Sequence, residues 1–169
     1  EYQNPSSERN ISLQTGATEV QVTVQNGALE EKTYNVYILK DTEDIKDASL
    51  NEIIAGTGAV TEGALSPDID GTYTTFIKRD AETIEITATS TYPYAKVSID
   101  GNKDERGSST RTIEMGDVNE KQIVVAITSA DGTIINQYIV NIYREPQELE
   151  LKTVYVDNRI ANKVDDTNY

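Results

Sequence analysis

Apolar and polar residues alternate along much of this chain. In ETIEITAT (82–89), Ile84, Ile86 and Ala88 share one phase. In KQIVVAIT (121–128), Ile123, Val125 and Ile127 do so, and in NQYIVNIYR (136–144), Tyr138, Val140 and Ile142. A period of two in β-branched and aromatic residues puts one set on one face of a pleated strand. Bends punctuate the runs: NG at 26–27, DG at 70–71 and 131–132, and DGN at 100–102. Gly takes positive φ without steric cost there, and Asn or Asp tolerates it. Strands are predicted near 50–55, 72–77, 82–89, 95–99, 110–115, 121–128 and 133–144. About seven short strands in roughly 100 residues is the pattern of an all-β, immunoglobulin-like antiparallel sandwich. GNKDERGSST (101–110) reads as a long loop. DTEDIKDASLNEIIAG (41–56) holds an alternative to its strand. Ile45, Ser49 and Ile53 stand at helical spacing, with Thr42 as a cap and Gly56 as a stop.

The pattern also repeats. With Gly27 aligned on Gly132 and one residue of slippage, Tyr34, Val36, Ile38 and Lys40 fall on Tyr138, Val140, Ile142 and Arg144. Upstream, Val20, Val22 and Val24 fall on Ile123, Val125 and Ile127. Downstream, Leu50 and Ile53 match Leu151 and Val154, and Tyr73 matches Tyr169. Recurrence in a fixed order is the signature of tandem modules. The expected division is 1–41 as the C-terminal part of one repeat, 42–47 as an acidic hinge, 48–145 as a complete module, and 146–169 as a linker with the first strands of another. The chain is thus expected to be a piece of a longer polypeptide. Tyr34, Tyr73, Tyr138 and Tyr169 are read as structural repeat positions, packed at the core or a corner with the hydroxyl bonded locally.

Composition narrows the function. Asp and Glu number 29 against 15 Lys and Arg, a formal charge of −14. That field repels nucleic acid and anionic lipid surfaces, which need basic counter-charge. With 0 Cys there is no disulfide framework or thiolate, and with 0 His there is no imidazole base or ligand. No apolar run reaches the length of a membrane span. No phosphate-cradling glycine loop or nucleophile motif stands out, so an enzyme is not expected.

Two clusters are left as candidate sites. The hinge acids Asp41, Glu43, Asp44 and Asp47 are hard oxygen ligands, and calcium is the metal they would take, stiffening the joint between repeats. Turn chemistry and a solvated linker explain the same residues. Tyr92-Pro93-Tyr94 lies between two predicted strands and lacks a repeat counterpart. Tyr92 and Tyr94 are candidate ligand-binding residues for a glycan or a protein partner, with Tyr143 or Tyr155 as further platform members. Packing is the competing role.

The segments ASLNEIIAGTGAV and LSPDIDGTY, then IEITATSTYPYAKVSIDG, then ADGTIINQYIVNIYRE resemble, in that order and spacing, the bacterial cadherin-like β-sandwich repeat over about 48–145. The resemblance implies a non-catalytic, extracellular module of a tandem-repeat surface or secreted protein, serving as a spacer, adhesion or presentation unit. Its partners would be neighbouring domains of the same polypeptide, with no resident cofactor. A carbohydrate-binding accessory module and a calcium-stiffened joint are the rival expectations.

Overall fold

The structure, a computed structural model, describes residues 9–14, 17–26, 30–40, 43–147, 155–156 and 159–160. Its strands are β1 (Ala17–Asn26), β2 (Glu30–Leu39), β3 (Leu50–Ala55), β4 (Gly63–Ala64), β5 (Tyr73–Ile77), β6 (Thr83–Ser90) and β7 (Lys96–Ile99). They continue as β8 (Glu105–Arg106), β9 (Ser108–Glu114), β10 (Glu120–Thr128), β11 (Ile135–Arg144), β12 (Tyr155–Val156) and β13 (Arg159–Ile160). One 3-10 turn, Glu43–Lys46, precedes β3.

Two sheets face each other across the core. One has the order β5-β11-β10-β7-β8 and the other β4-β3-β6-β9. All pairings are antiparallel except that of β5 with the last long strand, β11, which is parallel. The alternation read from the sequence is the alternation of burial. Ile84, Ile86 and Ala88 on β6 meet Ile123, Val125 and Ile127 on β10 and Val140 and Ile142 on β11, all fully buried. Each buried branched side chain of this size contributes roughly 1.5–3 kcal/mol relative to exposure. Tyr73, Tyr92 and Tyr138 close the rim of this aliphatic core. The Tyr138 hydroxyl accepts from the Leu50 N–H at 3.1 Å, which ties the start of β3 to the opposite sheet.

One local alternative, the helix, is set aside, and one expectation, the loop, is corrected. Residues 50–55 form a strand, because Ile53 and Ala55 alternate into the core with Ile54 between them. The helical spacing with Ile45 reflects a single 3-10 turn followed by a strand. GNKDERGSST is loop only in part, since half of it is strand. Glu105 and Arg106 pair with β7, and β9 starts at Ser108. Between them the chain crosses from one sheet to the other at Gly107, whose φ is +73°. At the turn after β7, Asp100 and Gly101 have consecutive φ values of 51° and 71°, as a tight hairpin of this hand requires. Arg111 caps that turn, donating to the carbonyls of Ile99 and Asp100 at 2.7 Å each.

The chain enters and leaves the sandwich at opposite ends. At the upstream pole, the Asp131 N–H donates to the Ile45 carbonyl at 3.2 Å, and the Asn136 side chain donates to the Ala48 carbonyl at 3.2 Å. At the downstream pole, β11 ends on Arg144. Its guanidinium donates to the carbonyls of Arg79 and Ala81 at 2.8 Å each, Gly116 at 2.9 Å and Val118 at 3.4 Å. One basic side chain thereby pins the two turns that close this pole. The poles lie about 30 Å apart, the rise of a strand as long as β11.

β1 and β2 form a separate hairpin. Its register is that of β10 and β11 position for position. Val20 faces Val36 and Val22 faces Tyr34. In the sandwich Ile123 faces Val140 and Val125 faces Tyr138. The apolar face buried on β10 and β11 is exposed on the hairpin, where Val22 and Tyr34 are 43% and 47% exposed. Tyr34 carries the Lys32 ammonium 5.2 Å from its ring centre. Tyr169 lies outside the described residues.

Candidate functional site

The two sequence-derived clusters converge on the upstream pole. β6 ends there at Ser90, opposite Leu50, and β7 starts there at Lys96, opposite Thr128. The intervening loop presents Tyr92-Pro93-Tyr94. Its backbone is firmly held. The Ser90 hydroxyl donates to the Tyr92 and Gly107 carbonyls at 2.8 and 3.1 Å. The Thr91 N–H donates to Ser49 at 2.9 Å, and the Gly107 N–H to Ala95 at 2.9 Å. A Cβ on Gly107 would stand 2.8 Å from the Pro93 carbonyl oxygen, so the sheet crossing and the loop demand a glycine together.

Three rings meet over this loop. Tyr92 packs on the core, and its ring centre is 5.6 Å from that of Tyr94, tilted by 57°. Tyr94 in turn meets Tyr37 of the hairpin at 5.9 Å, also tilted by 57°. The Arg106 guanidinium lies 4.0 Å from the Tyr37 ring centre, and the Tyr37 hydroxyl donates to Glu19 at 3.3 Å. Desolvation, reinforced by the nearby negative charge of Asp44, pushes the Tyr92 phenol above its ordinary pKa. Its hydroxyl is buried without a hydrogen-bond partner among the described residues.

The acidic stretch sits beside this cluster. Ile45 and Ala48 are buried. Asp47 caps the following turn by accepting from the Ser49 N–H at 2.7 Å, while Asp44 is exposed. Asp41 lies outside the described residues, as does the side chain of Glu43. Among the described residues no three His, Cys, Asp or Glu side chains are grouped to hold a metal ion. Nearby, Asp131 accepts from the Thr133 N–H at 3.0 Å and from the Ser129 hydroxyl at 2.7 Å. These bonds hold its carboxyl below the usual range, the Thr133 N–H contributing most.

Tyr37 and Arg106 escaped the sequence reading. Tyr37 falls out of phase with Tyr34, Val36 and Ile38, and Arg106 lay in a stretch read as loop. An aromatic residue on the polar phase of a strand is the signal that would have pointed to Tyr37. Tyr92 and Tyr94 do come together, but a ligand stacking on Tyr94 would compete with the hairpin. Tyr143 lies far along β11, toward the other pole, and of Tyr155 the backbone alone is described.

This arrangement is a scaffold without a convergent catalytic constellation among the described residues, and its two facing sheets define a β-sandwich module. Residues 50–145 match the sequence profile of the cadherin-like beta sandwich domain, and the chain belongs to that family. No curated protein and no solved structure matches the chain. No helix among the described residues is long and apolar enough to cross a membrane.

Proposed function

We propose that this chain is a stretch of a tandem array in an extracellular surface or secreted protein. Residues 50–145 serve there as a non-catalytic spacer that presents neighbouring domains. The observation that carries this reading is the placement of the two poles. Chain entry near Ile45 and exit at Arg144 lie at opposite ends of the sandwich, so each module adds its full strand length to the array. The hairpin β1–β2 is read as the last hairpin of the preceding module, given its register match to β10–β11. Its contact through Tyr37 sets the angle between modules. The charge of −14 supports a hydrated, self-repelling surface suited to the cell exterior.

Spin labels test this directly, because a chain with 0 Cys needs no background removal. Labels at Asn35→Cys and Asn119→Cys report across the joint. A single narrow distance distribution is expected. A broad distribution would show a loose tether and overturn the stiff spacer.

A further inference from the structure

A second aromatic cluster lies on the outer face of the five-stranded sheet, toward the downstream pole. Phe76 on β5 and Tyr143 on β11 are partners across the parallel ladder. Their ring centres are 5.9 Å apart, tilted by 38°. A cross-strand aromatic pair stabilises a sheet, yet these two remain 46% and 36% exposed. The adjacent row across the strands is polar: Thr74, Asn141 and Gln122 stand side by side in register. The Gln122 amide donates to the Asn141 side-chain oxygen at 3.0 Å. Glu120 stands beside Tyr143 on the other flank. Open clefts adjoin the pair on both sides. One of about 190 Å³ runs between Phe76 and the segment Val60–Leu65. The other, about 260 Å³, lies over Glu120, Gln122, Asn141 and Tyr143.

The chemistry of this surface selects a partner. Aromatic faces carry negative quadrupole density and attract the weakly positive C–H groups on the flat side of a sugar ring. Side-chain amides both donate and accept, which suits hydroxyls that do the same. Clefts this small and open do not enclose a compact ligand, but an extended one can lie across them. Charge excludes polyanions. The chain carries −14, Glu120 is in the patch, and the Lys121 ammonium is engaged by the Glu114 carbonyl at 2.7 Å. A protein hot spot would instead centre on a desolvated apolar core ringed by contacts that exclude water, whereas here the amide row directly abuts the rings.

We propose that Phe76 and Tyr143, with Gln122 and Asn141, form a platform for a neutral, extended polysaccharide. This assignment is independent of the spacer reading. A spacer without glycan affinity, or a loose joint with it, would separate the two.

Affinity electrophoresis of the full chain through gels containing neutral β-glucan, xylan, mannan or starch tests the proposal, with alginate as the anionic control. Retardation by at least one neutral polymer is expected, and none by alginate. Phe76→Ala and Tyr143→Ala should each weaken binding by about tenfold, and Tyr94→Ala should leave it unchanged. Phe76→Leu and Tyr143→Leu keep apolar cover without a ring, so loss of binding in folded Leu variants ties the effect to the aromatic faces. Free migration of the wild-type chain through every neutral gel would overturn the proposal. So would retardation that the Leu variants retain, or a protein partner lost in these variants while all glycans remain inert.

Discussion

The guanidinium of Arg106 lies 4.0 Å from the ring centre of Tyr37, and this pair joins a hairpin at the start of the chain to the pole of the sandwich. Arg106 belongs to a two-residue edge strand and Tyr37 to a strand whose apolar face points elsewhere. The contact is local and partly solvated. Cation–π attraction at exposed sites is worth about 0.5–1 kcal/mol, and the tilted pair with Tyr94 adds about 0.5–1.5 kcal/mol.

Tyr37→Ala should therefore leave the melting of the sandwich nearly unchanged while loosening the joint. Its readout is a broadened distance distribution between labels at positions 35 and 119. Arg106→Lys keeps the charge but loses the flat stacking surface, and should broaden the distribution less. A fall of melting temperature in step with the broadening would mean that the hairpin contact supports the core and not just the angle.

Gly107 couples the sheet crossing to the Tyr92-Pro93-Tyr94 loop. Gly107→Ala places a methyl 2.8 Å from the Pro93 carbonyl oxygen at a φ of +73°. We expect a loss of about 2–3 kcal/mol, from positive-φ strain together with displacement of the loop. Gly101→Ala, at a φ of +71° with open space around its Cβ, should lose about 1 kcal/mol. Urea unfolding of the two variants side by side separates steric from conformational cost.

Arg144 bonds four carbonyls from two different turns. Truncation to Ala leaves these acceptors facing solvent or one another, and should cost about 2 kcal/mol, discounted for partial exposure. That corresponds to roughly 8–16 °C in melting temperature for a domain of this size. Arg144→Lys cannot span the same four acceptors and should recover less than half the loss.

Asp131 sets a pH dependence. Its carboxyl is depressed by bonds from Thr133 and Ser129. A depressed acid contributes stability above its unfolded pKa and loses it as pH falls through the folded one. The contribution is then complete at neutral pH, begins to fall near about pH 4, and is gone only below the depressed folded value. Asp131→Asn should be less stable than wild type at neutral pH, and the gap should close in strong acid. A gap that persists at the acid end would assign the effect to geometry and not to charge.

The strands were legible wherever one face is aliphatic. Ile84, Ile86 and Ala88 announce β6 because the opposite sheet removes them from water, and period two follows from the pleat. β8 and the start of β9 were illegible for a matching reason. Glu105 and Arg106 form an edge pair without an inward apolar residue, and the first inward residue of β9 is Ser109, polar and small, four residues ahead of the buried Ile113. Tyr37 and Phe76 share a different blind spot. Each is aromatic on the outward phase, and each acquires its neighbour from a chain segment distant in sequence. The parallel pairing of β5 with β11 leaves no local mark in either strand, so the partnership of Phe76 and Tyr143 emerges with the topology.

Strand direction also bears on how the module carries tension. β3 and β11 run in the same direction, and an array under load would be gripped at the head of one and the tail of the other. Each strand is then dragged along its own axis, so its ladder bonds bear the load in parallel and must rupture together. Single-molecule pulling should accordingly show one high, abrupt break per sandwich, and a gradual low-force unzipping would contradict the geometry. A fold that has no disulfides to brace it would owe its tensile strength to strand direction alone.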